Sequence, residues 1–182
     1  MKQPVIKLYY EIRVGRRVVK RAISRSFVQA FTQMMFVQMS QSSVSITDTS
    51  NSTTSQATGS FNFTATASSG TATQGIQAGT SSTAVAISDH VLGTLIAHGT
   101  GSGQLSYGTS LVQTLSVSAS PATFQLQRVF TNNSGSTITV QEVGFTLGSA
   151  SHIYLGVRDV TGGVAIGNGQ TMTVTYTWSA AI

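Results

Sequence analysis

The sequence contains no cysteine and only two prolines, and charged residues make up 8% of its 182 positions. Without cysteine the chain can form no disulfide bond and offers no thiolate nucleophile or cysteine-ligated metal, so packing or assembly must supply its stability. No apolar run approaches the roughly 18 residues of a transmembrane helix, so we expect no membrane span. The length suits one domain, or one domain with an appended module, and is enough to bury a sizeable core.

Acidic residues are scarce as well, with five against ten lysines and arginines. Eight of the ten basic residues lie between Lys2 and Arg25. The positive charge is therefore concentrated at the N-terminus, so the whole surface is not expected to attract polyanions. The apolar stretches of this region are interrupted by charged residues or glutamines, so we do not interpret them as a signal peptide.

The basic region has the two-residue period of a β-strand. Apolar and polar residues alternate from Val5 to Val14, and a glycine follows. Extended character then resumes in "RVVKRAI". The sequence therefore predicts a β-hairpin over residues 5–23, with its turn near Gly15 and Arg16.

The basic side chains of this hairpin have three interpretations. They could keep an exposed edge strand soluble, which we favour, or dock against an acidic neighbouring subunit. They could also contact nucleic acid, although only Tyr9 and Tyr10 are available there for base stacking. Nucleic-acid binding would depend strongly on salt and would be lost on charge reversal of Arg16, Arg17, Lys20 and Arg21.

A helical period follows the hairpin. Ser26 and Gln29 have the spacing of a capping box, and the sequence predicts a helix from about Ser26 to Met39. The apolar stripe of this helix is expected to be a packing face that could also meet neighbouring subunits. Its spacing is i, i+3, i+4, i+7 and i+8, at Phe27, Ala30, Phe31, Met34 and Met35.

The composition changes at Ser40. Between Ser40 and Ala84, 23 of 45 residues are serine or threonine, and none is basic. The alternations "VSI" and "FNFTATA" predict short strands joined by long polar loops. We therefore divide the chain into an assembly arm, residues 1–39, and a Ser/Thr/Gly-rich β-sandwich, residues 40–182.

The remainder predicts about seven short strands separated by turn signals. The apolar phase slips at Gln141 and Glu142, as a β-bulge would cause, and Asn168-Gly169 suits a type I′ turn. We expect an all-β fold, a jelly-roll-like β-sandwich with an N-terminal hairpin and one helix. The predicted strands are residues 83–87, 91–99, 111–119, 122–131, 136–147, 152–160 and 172–179.

In the last predicted strand, alternate residues are apolar. We expect these apolar side chains to form its inner face and the intervening threonines to point outward. The inner face would consist of Met172, Val174, Tyr176 and Trp178.

Sequence motifs for catalysis are weak. The glycine-rich stretch from His98 to Gln104 lacks the lysine and the helix of a phosphate loop, and no G-x-S-x-G elbow occurs. The three histidines are scattered, which argues against a metal site. We expect Glu142, Arg158 and Asp159 to form a structural ion pair. The sequence thus predicts no enzyme, no cofactor and no metal.

Four stretches resemble a family of small, mostly uncharacterised virion proteins of tailed bacteriophages. They are "SRSFVQAF", "DHVLGTLIAHGTGSGQLSYG", "RVFTNNSGSTITVQEVGF" and "VRDVTGGVAIGNGQTMTVTYTW". The resemblance covers Ser24 to Phe36 and Asp89 to Trp178, and its motifs are structural and turn-forming. It implies an assembled head, connector or tail component located in the virion, without catalytic residues to carry over.

We therefore expect a structural subunit of a bacteriophage particle that binds copies of itself and other virion proteins. A host surface glycan and, through the basic arm, nucleic acid are further candidate partners. The alternative is a carbohydrate-binding or adhesion module, whose candidate aromatic residues would be Tyr107, Tyr154 and Trp178. The predicted subunit interface comprises Lys7, Tyr9, Arg13, Arg16, Arg17, Lys20, Arg21, Arg25, Phe27, Phe31, Met34 and Met35.

Overall fold

The computed structural model of the protein describes residues 5–40, 44–56, 63–113, 116, 122–149 and 152–181. One helix and ten strands occur in this part of the chain. The strands pair in antiparallel sheets. In chain order the elements are β1 (Val5–Val14), β2 (Arg17–Ser24), α1 (Gln29–Ser40), β3 (Val44–Thr47), β4 (Thr53–Gln56), β5 (Ile76–Gly79), β6 (Ser106–Val112), β7 (Ala122–Thr131), β8 (Ile138–Ser149), β9 (His152–Ile166) and β10 (Thr171–Ala181).

The largest sheet has five strands in the order β2-β1-β10-β7-β6. The predicted N-terminal hairpin is confirmed, with Gly15 at a φ of 57° in its turn. The other edge of β1 pairs with β10 along its whole length. The first strand is therefore internal to the main sheet, so the predicted boundary between residues 39 and 40 does not separate two sheets.

Two smaller sheets complete the fold, one with the order β5-β8-β9 and one formed by β3 and β4. Residues from the three-stranded and five-stranded sheets share one hydrophobic cluster. Within it the ring centroid of Phe145 on β8 lies 5.1 Å from that of Tyr176 on β10. The all-β prediction is confirmed, while the jelly-roll order of the strands stays a prediction.

The alternation predicted for the last strand agrees with the structure. Met172, Val174 and Tyr176 are fully buried, and Trp178 is half-buried against the same core. Alternate residues of a strand lie on opposite faces, so the threonines of β10 form part of the outer face of the five-stranded sheet.

Two local predictions have different outcomes. The register between β8 and β9 shifts between Val140 and Glu142, which confirms the predicted bulge. The type I′ turn is wrong, because that turn needs positive φ at both central residues and only Gly169 has it, at 77°. The amide of Gln170 instead closes this turn on the carbonyl oxygen of Gly167.

Helix α1 begins at Gln29, three residues after its predicted start. The residues before it run along the edge of β9, where Phe27 bridges Val157 and the amide of Arg158 donates to the carbonyl oxygen of Ser26. This pairing holds the chain extended up to Val28, which is fully buried. Because the preceding residues pair with β9, the helix begins at Gln29 and not at Ser26.

The predicted strands at 83–87 and 91–99 are wrong, because both segments are irregular; the second contains only isolated bridges, at Leu95 and His98. The buried carboxylate of Glu142 accepts hydrogen bonds from the amides of Ser81, Gly93 and Thr94, so it replaces part of a strand ladder. The segment 63–67 likewise contains only bridges. Parts of two other predictions, residues 61–62 and most of 114–119, lie outside the described residues.

Candidate functional site

An open cleft of about 750 Å³ lies on the outer face of the five-stranded sheet. Side chains from β1, β2, β7 and β10 surround it, so both ends of the chain contribute to one surface. Most of these residues are polar. The lining consists of Tyr9, Tyr10, Glu11, Arg13, Arg21, Gln125, Gln127, Thr173, Thr175 and Thr177.

Strand pairing arranges this lining in three rows that cross the sheet. Successive rows lie two residues apart along each strand, a spacing of about 6.7 Å. Each row crosses β1 and β10, the first two rows continue to β7, and the middle row also includes a lining residue of β2. The rows are Tyr9, Thr177 and Gln125; Arg21, Glu11, Thr175 and Gln127; and Arg13 and Thr173.

Glu11 holds the two arginines of the cleft. Arg13 Nε donates to its Oε1 at 2.5 Å, and Arg21 donates to its Oε2 through Nε at 2.8 Å and through Nη2. Desolvation raises the pKa of Glu11, but the hydrogen bonds and charges of Arg13 and Arg21 outweigh it, and the pKa is lowered. The carboxylate therefore stays ionised and orients both guanidinium groups.

The rest of the cleft is built from hydroxyl and amide groups. Gln127 Nε2 donates to Thr175 Oγ1 at 3.1 Å, which fixes one amide across the strands. Tyr9 is half-buried. Two guanidinium groups and one carboxylate give the lining a net charge of +1. Such a surface can bind a polar or anionic ligand through hydrogen bonds.

A second polar cluster contains aspartate, histidine and serine, the residue types of a hydrolytic triad. His152 Nδ1 lies 2.8 Å from Asp48 Oδ2, and Ser50 Oγ donates to Asp48 Oδ1 at 2.7 Å. In a triad the histidine lies between the carboxylate and the serine. Here the carboxylate lies between the other two, so the serine hydroxyl donates to the carboxylate and not to the imidazole.

The Asp48 cluster instead fixes a loop. Desolvation raises the pKa of Asp48, but hydrogen bonds from Ser50, His152 and the backbone amides of Ser50 and Ser52 prevail and lower it to about 2. The ionised carboxylate thus closes the turn between β3 and β4.

The expected ion pair between Glu142 and Arg158 is present. Arg158 Nε donates to Glu142 Oε2 at 2.6 Å, and Arg158 Nη1 donates to Asp89 Oδ2 at 2.9 Å. Asp159 does not take part, because neighbouring residues of β9 point to opposite faces. It accepts hydrogen bonds from Ser24 Oγ and from the hydroxyl of Tyr176.

The predicted subunit-interface residues separate into three groups. The prediction is wrong for Met34, because its side chain is fully buried within one chain and cannot contact a neighbouring subunit. Tyr9, Lys20, Phe27 and Phe31 are half-buried. The exposed members are Lys7, Arg13, Arg16, Arg17, Arg21, Arg25 and Met35.

Only three of those residues, Tyr9, Arg13 and Arg21, line the cleft. Sequence reasoning missed its glutamines and threonines, although the outward threonines of β10 were a usable signal. The prediction that Tyr107 and Tyr154 could bind carbohydrate is also wrong, because both side chains are buried. Trp178 stacks on Phe124 with the ring centroids 4.7 Å apart, and neither lines the cleft.

Three further observations bear on function. No group of three or more histidine, aspartate or glutamate side chains that could hold a metal ion occurs within the described ranges. The single helix in this part of the chain is too short to cross a bilayer. No protein-family model, curated protein or solved structure matches this chain.

Proposed function

We propose that this chain is a structural, non-enzymatic subunit of a bacteriophage particle, acting by binding copies of itself and other virion proteins in the virion. The resemblance of its turn-forming stretches to small virion proteins supports the proposal. The observation that carries it is the edge of the five-stranded sheet at β2.

Strand β2 ends the five-stranded sheet and pairs only with β1 among the described strands. An edge strand presents unpaired N–H and C=O groups that a strand of another chain can join. Three apolar residues of β2 are also exposed, Val18 at 39%, Val19 at 42% and Ile23 at 39%. Apolar exposure beside a free edge favours a protein partner over solvent.

The opposite edge of this sheet, at β6, also exposes apolar side chains. Ala67 bridges Ser110 on this edge, and the exposed residues Leu111 and Val112 follow that bridge along β6. A contact between β2 of one subunit and β6 of the next would join two different surfaces. Such a heterologous contact generates a ring or a filament, which suits a connector or a tail.

The test is the sedimentation of the full-length chain over a range of concentrations, at low and high salt. We expect the wild type to form a defined oligomer and Val19→Lys to shift it toward monomer, because the new charge lies on the joining edge. Ile87→Lys is the matched control, since Ile87 is apolar and 65% exposed but lies outside every strand. It should sediment like the wild type.

A point substitution is needed because removing residues 1–39 would delete β1, an internal strand of the sheet. A wild type that stays monomeric at every concentration would contradict self-assembly. If that monomer instead bound DNA with an affinity that fell steeply with salt, nucleic-acid contact by the basic hairpin would replace it.

A further inference from the structure

We propose that the outer-face cleft binds an acidic oligosaccharide. Every lining residue belongs to one chain, so the proposal does not depend on assembly. It stands on three features of the cleft, which are its hydroxyl and amide rows, its half-buried aromatic residue Tyr9 and its charge.

The hydrogen-bonding groups match the chemistry of a sugar. Sugar hydroxyls both donate and accept hydrogen bonds, and so do the threonine hydroxyls and glutamine amides of the cleft. Three threonines and two glutamines from β10 and β7 contribute to the lining. The three rows extend over about 13 Å along the strands, which exceeds one sugar ring and favours an oligomer.

Tyr9 supplies the aromatic surface. It lies in the first row, beside Thr177 and Gln125, so an aromatic side chain stands next to a hydroxyl and an amide. Tyrosine offers an apolar body with a polar tip, a combination that can contact both the C–H face and the hydroxyls of a sugar. Tyr10 plays no such part, because its side chain is buried in the core.

The charge selects an acidic sugar over a neutral one. The Arg13 side chain is 46% exposed and that of Arg21 is 68% exposed, and Glu11 occupies only part of their donors. Guanidinium groups bind carboxylates through charge-assisted hydrogen bonds. The other acidic residues, Asp48, Asp89, Glu142 and Asp159, are engaged elsewhere, so the field at this face is positive.

The experiment is calorimetric titration of the full-length protein with four acidic probes, namely galacturonate, alginate, hyaluronan and polysialate hexamers. Cellohexaose is the neutral probe, and a twelve-nucleotide oligothymidylate is a polyanion of different chemistry. We expect at least one acidic hexamer to bind at least about tenfold more tightly than cellohexaose, the effect of one charge-assisted hydrogen bond.

Variants of the cleft give effects of opposite sign. Arg21→Gln should weaken binding of the acidic hexamer about tenfold, whereas Arg16→Gln removes the same charge outside the cleft and should change it far less. Tyr9→Ala should also weaken binding. Glu11→Gln should strengthen it, because that substitution removes the negative charge and frees the donors of both arginines.

Three results would overturn the proposal. One is the absence of binding by all four acidic hexamers at millimolar concentration. Another is equal weakening by Arg21→Gln and Arg16→Gln, which would indicate a general attraction for anions. The third is oligothymidylate binding that is tighter than that of every hexamer and indifferent to Tyr9→Ala. Sedimentation tests assembly independently, so failure of one proposal does not decide the other.

Discussion

The arginines outside and inside this protein have different surroundings. On the hairpin, Arg13 and Arg21 are exposed and share the carboxylate of Glu11. In the interior, Arg128 and Arg158 are almost completely buried and hydrogen bonded through all three nitrogens of each guanidinium group. The same side chain therefore leaves donors for a ligand at the surface, whereas in the interior it holds loops against the sheets.

Arg128 is the extreme case of the interior group. Its guanidinium nitrogens donate to five backbone carbonyl oxygens, at distances between 2.7 and 3.2 Å, and no carboxylate pairs with it in the described structure. Its carbon Cζ lies 4.8 Å from the ring centroid of Tyr107. Desolvation lowers the pKa of Arg128 to about 10. The acceptors are the carbonyl oxygens of Ser68, Thr71, Gln74, Ile76 and Gly108.

The largest expected effect comes from replacing this arginine. Arg128→Met leaves five carbonyl oxygens without their donor, and each buried unsatisfied group costs about 1 to 3 kcal/mol. Some of these carbonyls can hydrogen bond to water instead, so the loss should be smaller than the sum over all five. We still expect the free energy of unfolding in urea to fall by more than about 3 kcal/mol. Arg128→Lys should also destabilise, since an ammonium has three donors in place of five.

Arg16→Met is the matched control for Arg128→Met. Arg16 is exposed in the hairpin turn, so its replacement should change the unfolding free energy by less than about 0.5 kcal/mol. Comparable effects of the two substitutions would break the distinction between exterior and interior arginines.

A smaller effect is expected at Asp159, a buried carboxyl that accepts hydrogen bonds from Ser24 and Tyr176. Desolvation raises its pKa in the folded state, despite opposing hydrogen bonds. The folded state therefore holds this proton more strongly than the unfolded state does. The stabilisation is complete below the unfolded pKa of about 3.9 and is lost as pH rises through the folded pKa.

The Asp159→Asn variant tests this sign. The neutral amide does not titrate, so the variant should gain stability relative to wild type as pH rises above about 4, by about 1.4 kcal/mol per unit of raised pKa. Urea unfolding of both proteins between pH 3 and 8 measures the difference. The lowered pKa values of Glu11 and Asp48 oppose this trend at low pH in both proteins, and they cancel in the comparison. A difference that is independent of pH would contradict the prediction.

Strands with one face in solvent can be predicted from local sequence patterns, whereas much of the buried, irregular part of the fold cannot. Alternation predicts the hairpin and β10 because one face of each strand packs on the core and the other meets solvent. The segment 83–99 has similar apolar content, yet it is irregular. Two of its backbone amides, those of Gly93 and Thr94, donate to the distant side chain of Glu142, a contact that strand propensity does not include.

The cleft could be predicted only in part. Tyr9, Arg13 and Arg21 are close in sequence, and the hairpin brings them together. Their threonine neighbours come from β10, which pairs with β1 although it lies more than 150 residues away, and their glutamine neighbours come from β7. Turn signals identify neighbours in sequence, but they do not show that the first strand lies beside the last.

The smallest effect is expected at the hairpin surface itself. Arg13→Gln removes one of the two partners of Glu11, while Arg21 keeps its contact with the same carboxylate. Exposed ion pairs contribute about 0.2 to 1 kcal/mol, so the loss of unfolding free energy should stay below about 1 kcal/mol and shrink further at high salt. The measurement is urea unfolding at low and high ionic strength. A salt-independent loss above about 2 kcal/mol would place Arg13 with the interior arginines. A small, salt-sensitive loss would mean that this guanidinium group contributes little to stability, which is consistent with a role in ligand binding.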